Sequence, residues 1–176
     1  MLHPTAPIGP VSSQGGAHIT RWFDLATYPV TLAEPESPPG LEEAVLRVHR
    51  ILDGLVAEGV PSDRIVLGGF SQGGAAAIVA GLCYPSSLGG ICAVSGWCPY
   101  RRTLRPHIHA ANVGVPVWFS CGTSDPVVDF RLAKASGAQL AHELQEASVM
   151  HVNRASHPPK HAEMEAAARF IEHCLS

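Results

Sequence analysis

Charge, aromatic rings and long apolar runs are all scarce in this sequence. Charged residues make up 15% and aromatic residues 6% of the 176 positions. No stretch approaches the roughly 18 consecutive apolar residues of a membrane-spanning helix, so no transmembrane segment is expected. Twelve basic side chains face fifteen acidic ones, for a net charge of −3. Arg101-Arg102 is the one adjacent basic pair. That balance argues against a polyanion-binding surface, and nucleic acid is not an expected partner.

Cysteine is present but unpaired in pattern. Cys83, Cys92, Cys98, Cys121 and Cys174 are odd in number and form no C-x-x-C, which argues against a disulfide framework or a zinc knuckle. Four of them lie in or beside apolar stretches, where a free thiol packs as a small hydrophobe. A reducing compartment is the expectation. The start, Met1-Leu2-His3-Pro4, lacks the basic region and apolar stretch of a signal peptide. Glycine does not follow Met1 and Cys174 is third from the end, so neither matches a lipidation signal. The expected location is cytoplasmic.

Hydrophobic residues reach 46%, enough for one domain with a real core. A single domain over 1–176 is expected, with an irregular segment at 1–40 and a core at 41–176. In the first part, Pro4, Pro7, Pro10, Pro29, Pro35, Pro38 and Pro39 disfavour long regular elements. His18 to Leu25, with its Trp22-Phe23-Asp24, reads as an aromatic anchor onto the body of the domain. From Leu41, apolar residues recur at steps of three and four through Val56, which predicts one helical face. Gly59 and Pro61 end that helix.

Arg64 to Phe70 then reads as a short strand buried on both faces of a parallel sheet. Ala75 to Cys83 predicts a helix of small residues. Ile91 to Val94 and Val113 to Cys121 predict strands, Leu132 to Glu146 a helix, and Ser148 to Asn153 a fourth strand. His161 to Cys174 predicts a closing helix with Met164, Ala167, Ala168, Ile171 and Cys174 inward. Strands alternating with helices imply an α/β fold: a mostly parallel sheet with helices on both faces. Function in such sheets gathers at the carboxyl ends of the strands.

Gly69-Phe70-Ser71-Gln72-Gly73 sits where a predicted strand meets a helix of small residues. This is the G-x-S-x-G elbow in the context its chemistry needs. A sharp turn lifts the serine hydroxyl above the sheet, and bulk two residues before or after would collide with it. The following helix aims free N–H groups at a developing oxyanion, with the backbone N–H of Gln72 as first donor. A serine nucleophile needs a histidine to take its proton and a carboxylate to orient the histidine, in the chain order Ser, acid, His. Asp125 lies just past the third strand, with Asp129 the nearby alternative. His157 lies between the fourth strand and the last helix, His161 opens that helix, and His151 lies within the strand as a structural residue. His107-x-His109 and His157 with His161 invite a metal reading. Pro158 and Pro159 break helical spacing there and no acid or thiol completes a ligand set, so no metal is expected.

These segments resemble the acyl-protein thioesterases and related small carboxylesterases, the phospholipase/carboxylesterase family. The resemblance rests on His3-Pro4-Thr5-Ala6-Pro7 leading to Trp22-Phe23-Asp24, on Ile65 to Gly74 around the serine, and on Ser95-Gly96-Trp97-Cys98-Pro99. It continues in Gly122 to Val128 around the acid, and in His157 followed by Glu163-Met164. It implies an α/β-hydrolase fold and a triad of Ser71, Asp125 and His157. It further implies that Trp22 and Trp97 contact substrate and that no cofactor is needed. The implied reaction is hydrolysis of acyl esters and thioesters, with acylated proteins or lysophospholipids as partners.

Three positions depart from the family pattern: Cys98 for leucine, Asp129 for proline, and Arg154 for a glycine. Family members also begin with further strands and a His-Gly-x-Gly-Asp loop that supplies a second oxyanion donor. That loop is not in this sequence, so the expectation is an N-terminally truncated form. Losing one donor costs about two to three orders of magnitude in turnover. The strand before Ser71 would expose an apolar edge prone to association, for which a homodimer is one solution. The rival reading is a weakly active or non-catalytic binding remnant, and a serine peptidase is a third.

Overall fold

The computed structural model describes residues 1–144 and 148–176. Two antiparallel strands, β1 (Ile8–Val11) and β2 (Ala17–Thr20), form a hairpin inside the segment expected to be irregular. Its turn runs through Gly15 and Gly16, both at positive φ, which leaves room for short strands between prolines. The main sheet is parallel, in the order β3 (Val66–Phe70), β4 (Gly90–Val94), β5 (Val117–Gly122), β6 (Ser148–Asn153). Its helices are α1 (Leu41–Ala57), α2 (Gln72–Cys83), α3 (Phe130–Leu144) and α4 (His161–Cys174). The expected end of α3 at Glu146 lies outside the described residues. The strand expected from Val113 begins only at Val117, because Gly114 and Pro116 precede it and proline cannot donate to a ladder.

Side chains alternate across the strands and sort the helices. Ile91, Ala93, Val117 and Phe119 join the cluster that includes α2, α3 and the inner face of α1. Cys92, Val94 and Trp118 face the other way, against Ala167 of α4. Helices therefore cover both faces, with α1 seated on α2 rather than on the sheet. Because α2 lies between the sheet and α1, it is buried on nearly every side, as its run of alanines permits. Glu42 and Glu43 occupy the first turn of α1, where negative charge suits the helix dipole.

Three expectations about burial need correction. On α1, Leu41, Ala44, Val48 and Leu52 are buried, but Val56 is exposed because α2 has already ended beneath it. On α4, Met164 and Ala168 point outward. The inward face instead runs through Glu163, Ala167 and Phe170, steps of four and three along the helix. Glu163 is 3% exposed, and neither carboxylate oxygen has a hydrogen-bond partner among the described residues. Its place in the first turn of α4 puts it at the positive end of the helix dipole. Finally, β3 is not buried on both faces. Among the described residues it pairs only with β4, so Gly68 and Phe70 stay exposed at a sheet edge.

The segment before α1 is tied to this body at several points. Phe23 is fully buried and meets Trp97 edge-on, with ring centroids 6.0 Å apart. Val30 donates its N–H to the Val127 carbonyl at 2.7 Å and accepts from Asp129 N at 2.9 Å. The buried Glu34 carboxylate accepts from the backbone N–H groups of Ala26 and Thr27. Burial pushes the Cys92 thiol up to about 12 and the Cys83 thiol up to about 11, so these cysteines stay protonated and inert at neutral pH.

Replacing Phe23 by alanine empties the contact on which the segment rests. The variant should lose about 3–5 kcal/mol of unfolding free energy in urea titration, with one cooperative transition retained. A loss under about 1 kcal/mol would show that the segment contributes little to the fold.

Candidate active site

Ser71 occupies the turn between β3 and α2 with φ 55 and ψ −122. A residue with a Cβ is rarely found there, and holding it costs about 1–3 kcal/mol. The conformation is fixed from both sides. Ser71 N donates to the Val94 carbonyl at 2.8 Å, and Ser71 O accepts from Ala75 N at 3.1 Å as α2 begins. The glycine two residues earlier has a plain steric cause. A Cβ on Gly69 would lie 2.2 Å from the backbone C and O of Gly73 and 2.7 Å from Gly74 N. Gly73 differs, since the nearest atom to an added Cβ is the Trp22 indole nitrogen at 3.7 Å, an ordinary contact.

The histidine and the acid arrive from two other strand ends. His157 Nε2 lies 2.9 Å from Ser71 Oγ, and His157 Nδ1 lies 2.8 Å from Asp125 Oδ2. A carboxylate only accepts, so the Nδ1–H donates to Asp125 and leaves Nε2 to accept from the serine hydroxyl. Asp125 Oδ1 accepts from Val127 N at 2.8 Å and Val128 N at 2.9 Å, which fixes the carboxylate before it meets the imidazole. The Asp125 side chain is 2% exposed and that of His157 13%.

Gly122 lets the two loops touch. A Cβ there would lie 2.3 Å from the Ala155 carbonyl oxygen. Thr123 N donates to Asn153 O at 2.9 Å across the same contact, and Asn153 Oδ1 accepts from Ala155 N at 2.6 Å. Cys121, beside this junction, has its thiol pushed up to about 11 by burial, with the charges of Glu163 and Asp125 adding to the effect.

The alternatives are placed elsewhere. Asp129 pairs with Arg131 at 3.1 Å. His161 is exposed and pairs with Glu165 at 3.2 Å, while His151 stacks on Trp118. His107 stacks on Tyr100, and His109 Nδ1 accepts from Ala111 N. Among the described residues no group of three His, Cys, Asp or Glu side chains is placed to hold a metal.

Gln72 opens α2, so its N–H belongs to the first turn, which has no intrahelical partner. Trp22 lines a cleft with Ile8, Gly9, Arg21, Pro39 and Gly40, a lining that does not include Ser71, Asp125 or His157. Trp97 is 2% exposed and packs on Phe23, which leaves it almost no surface for a substrate; its large apolar ring serves the core instead.

Two features had no signal in the sequence. Phe70 packs on the His157 imidazole with centroids 4.8 Å apart, although the position before the serine is unspecified in the motif. The Gln72 side chain bonds the backbone at Trp22 and Phe23, about fifty positions away, which only the fold brings into contact.

A parallel sheet with helices on both faces, and a strained serine between strand and helix, defines the class as an α/β-hydrolase fold. The phospholipase/carboxylesterase description matches residues 1–175. A probable carboxylesterase from Oryza sativa subsp. japonica is 38% identical over 132 residues, covering 75% of this chain and 50% of that protein. Acyl-protein thioesterase 1 of Schizosaccharomyces pombe is 33% identical over 144 residues, covering 82% of this chain and 63% of that protein. The crystal structure of Arabidopsis thaliana SOBER1 superposes with a TM-score of 0.89 at 30% identity, covering 99% of this chain and 83% of that one. The chain belongs to the phospholipase/carboxylesterase family. It spans from half to about three-fifths of the length of the first curated relatives it matches. No helix among the described residues is long and apolar enough to cross a membrane.

The close approaches at Gly69 and Gly122 predict that Gly69→Ala and Gly122→Ala each cost about 1–3 kcal/mol in chemical denaturation. Gly54→Ala in α1, where an added Cβ meets nothing within 4 Å, should instead gain about 0.5–1 kcal/mol.

Proposed function

We propose that this chain is a serine hydrolase of acyl esters and thioesters, with Ser71 as nucleophile, His157 as general base then acid, and Asp125 as the orienting carboxylate. The continuous path Ser71–His157–Asp125, with separations of 2.9 and 2.8 Å, carries this reading. Ser71 Oγ attacks the acyl carbon while its proton passes to His157 Nε2. Asp125 stabilises the imidazolium that forms. Negative charge on the carbonyl oxygen develops at the amino end of α2, where the Gln72 N–H donates to it. Collapse of the tetrahedral intermediate breaks the bond to the leaving oxygen or sulfur, which takes the proton from His157. Water then attacks the acyl-serine by the same route and releases the carboxylic acid and free Ser71.

The finer assignment is to acyl thioesters on proteins, with lysophospholipids as the lipid counterpart. It is supported by relatives named acyl-protein thioesterase 1 in three yeasts. The half-buried Trp22, whose indole nitrogen lies beside Gly73 of the elbow, also offers an apolar surface on which an acyl chain can lie.

A fluorophosphonate probe reports an activated serine without assuming a substrate. The folded chain should label, Ser71→Ala should not, and His157→Ala and Asp125→Asn should lower the labelling rate by about three orders of magnitude or more. Labelling that persists in Ser71→Ala, or a folded chain that never labels, would overturn the proposal. A thioester and ester panel with hexadecanoyl and acetyl groups then separates long-acyl from short-acyl preference.

A further inference from the structure

The Gln72 side chain does something that its position after the nucleophile does not require. Its Oε1 accepts the Trp22 N–H at 2.8 Å and its Nε2 donates to the Phe23 carbonyl at 2.9 Å. Both ends of one carboxamide are thus satisfied by the backbone of two consecutive residues. Glutamate could accept from Trp22 but could not donate to Phe23, and methionine could do neither. The backbone of the same residue continues directly from Ser71.

Those two bonds fix one wall of the cleft. Phe23 is fully buried on one side of the Gln72 contact. Trp22, on the other side, is half-buried, lines the cleft with Arg21 and Ile8, and approaches Gly73 of the elbow through its indole nitrogen. The wall and the nucleophile are therefore registered to each other through a single side chain. Displacing the latch would leave Ser71, His157 and Asp125 in contact but move the Trp22 indole relative to the elbow.

We propose that the Gln72 carboxamide is a positioning residue that holds the Trp22 wall against the nucleophile elbow and thereby sets how well long acyl chains bind. This rests on the hydrolase reading above. It predicts a specificity effect that the backbone N–H of Gln72 does not produce, because side-chain substitution leaves that N–H in place.

The test uses the chain itself with Gln72→Met and Gln72→Glu. Of three tryptophans, Trp97 and Trp118 are 2% and 5% exposed, so acrylamide quenching reports chiefly on Trp22. Gln72→Met should raise the quenching constant and shift emission to the red, with Gln72→Glu between it and the parent. On hexadecanoyl esters Gln72→Met should raise KM about tenfold, through the loss of two hydrogen bonds, with a smaller fall in kcat. That KM effect should largely disappear when measured in a Trp22→Phe background. Unchanged quenching in the folded variants, or an equal KM rise in the Trp22→Phe background, would overturn the latch. If Gln72→Met fails to fold, the quenching comparison is decided by Gln72→Glu. A parent that never labels with fluorophosphonate would remove the hydrolase reading alone, because the quenching result judges the latch separately.

Discussion

Ser71 sits at φ 55, a conformation its own Cβ disfavours, and much of the surrounding sequence is arranged to keep it there. The Val94 carbonyl holds its N–H, and the first turn of α2 takes its carbonyl. Gly69 is the consequence of that turn, since Gly73 and Gly74 pass where a Cβ would stand. The alanines of α2 follow from the same demand, because a helix leaving so sharp a turn must lie close to β3 and β4. Gly96, in the loop after β4, passes within 3.2 Å of Ser71 O at its ideal Cβ position. A local strain of a few kcal/mol persists when the packing around it over-determines the backbone, and these contacts supply that packing.

The remaining two strand ends face a different constraint, which is convergence. Asp125 and His157 lie 32 residues apart in sequence, yet their side chains must meet at hydrogen-bond distance. The parallel pairing of β5 with β6 brings both loops to the same end of the sheet. Gly122 then permits the final approach, and the backbone bonds from Thr123 and Ser124 to the opposite loop lock it. The Asp125 loop has a second support in the bridge between Val30 and Val128. A region that reads from sequence as an irregular leader is thus one of the braces for the Asp125 loop.

The legible parts of the sequence were those governed by short-range physics. Apolar spacing located α1 and α4 closely, and the β6 limits at Ser148 and Asn153 were read directly. The elbow motif pointed to Ser71 and chain order to Asp125 and His157, and these three side chains form one hydrogen-bonded chain. What was not legible depended on neighbours far along the chain. The run Arg64 to Phe70 reads as buried on both faces, while the exposed edge that leaves Phe70 in solvent follows from the strands expected to be missing beside β3. Trp97 reads as a site residue by resemblance, yet its partner Phe23 draws it into the core. Glu163 had no burial signal of its own, and the step of four to Ala167 carries it inward.

The division between these two kinds of contact also divides the site. Ser71, Asp125 and His157 are held by the sheet and by glycines that allow close approach, so their geometry depends on the best-packed part of the chain. The cleft wall comes from residues before α1, a segment of short strands and prolines whose hold on the sheet is a handful of side-chain and backbone bonds. A segment of that kind can change its outer residues at little cost to the core, since few of them are buried. The Ser71–His157–Asp125 geometry and the Trp22 surface can then vary independently, except where one side chain spans both. Gln72 is that place: its backbone belongs to the elbow and its carboxamide to the wall.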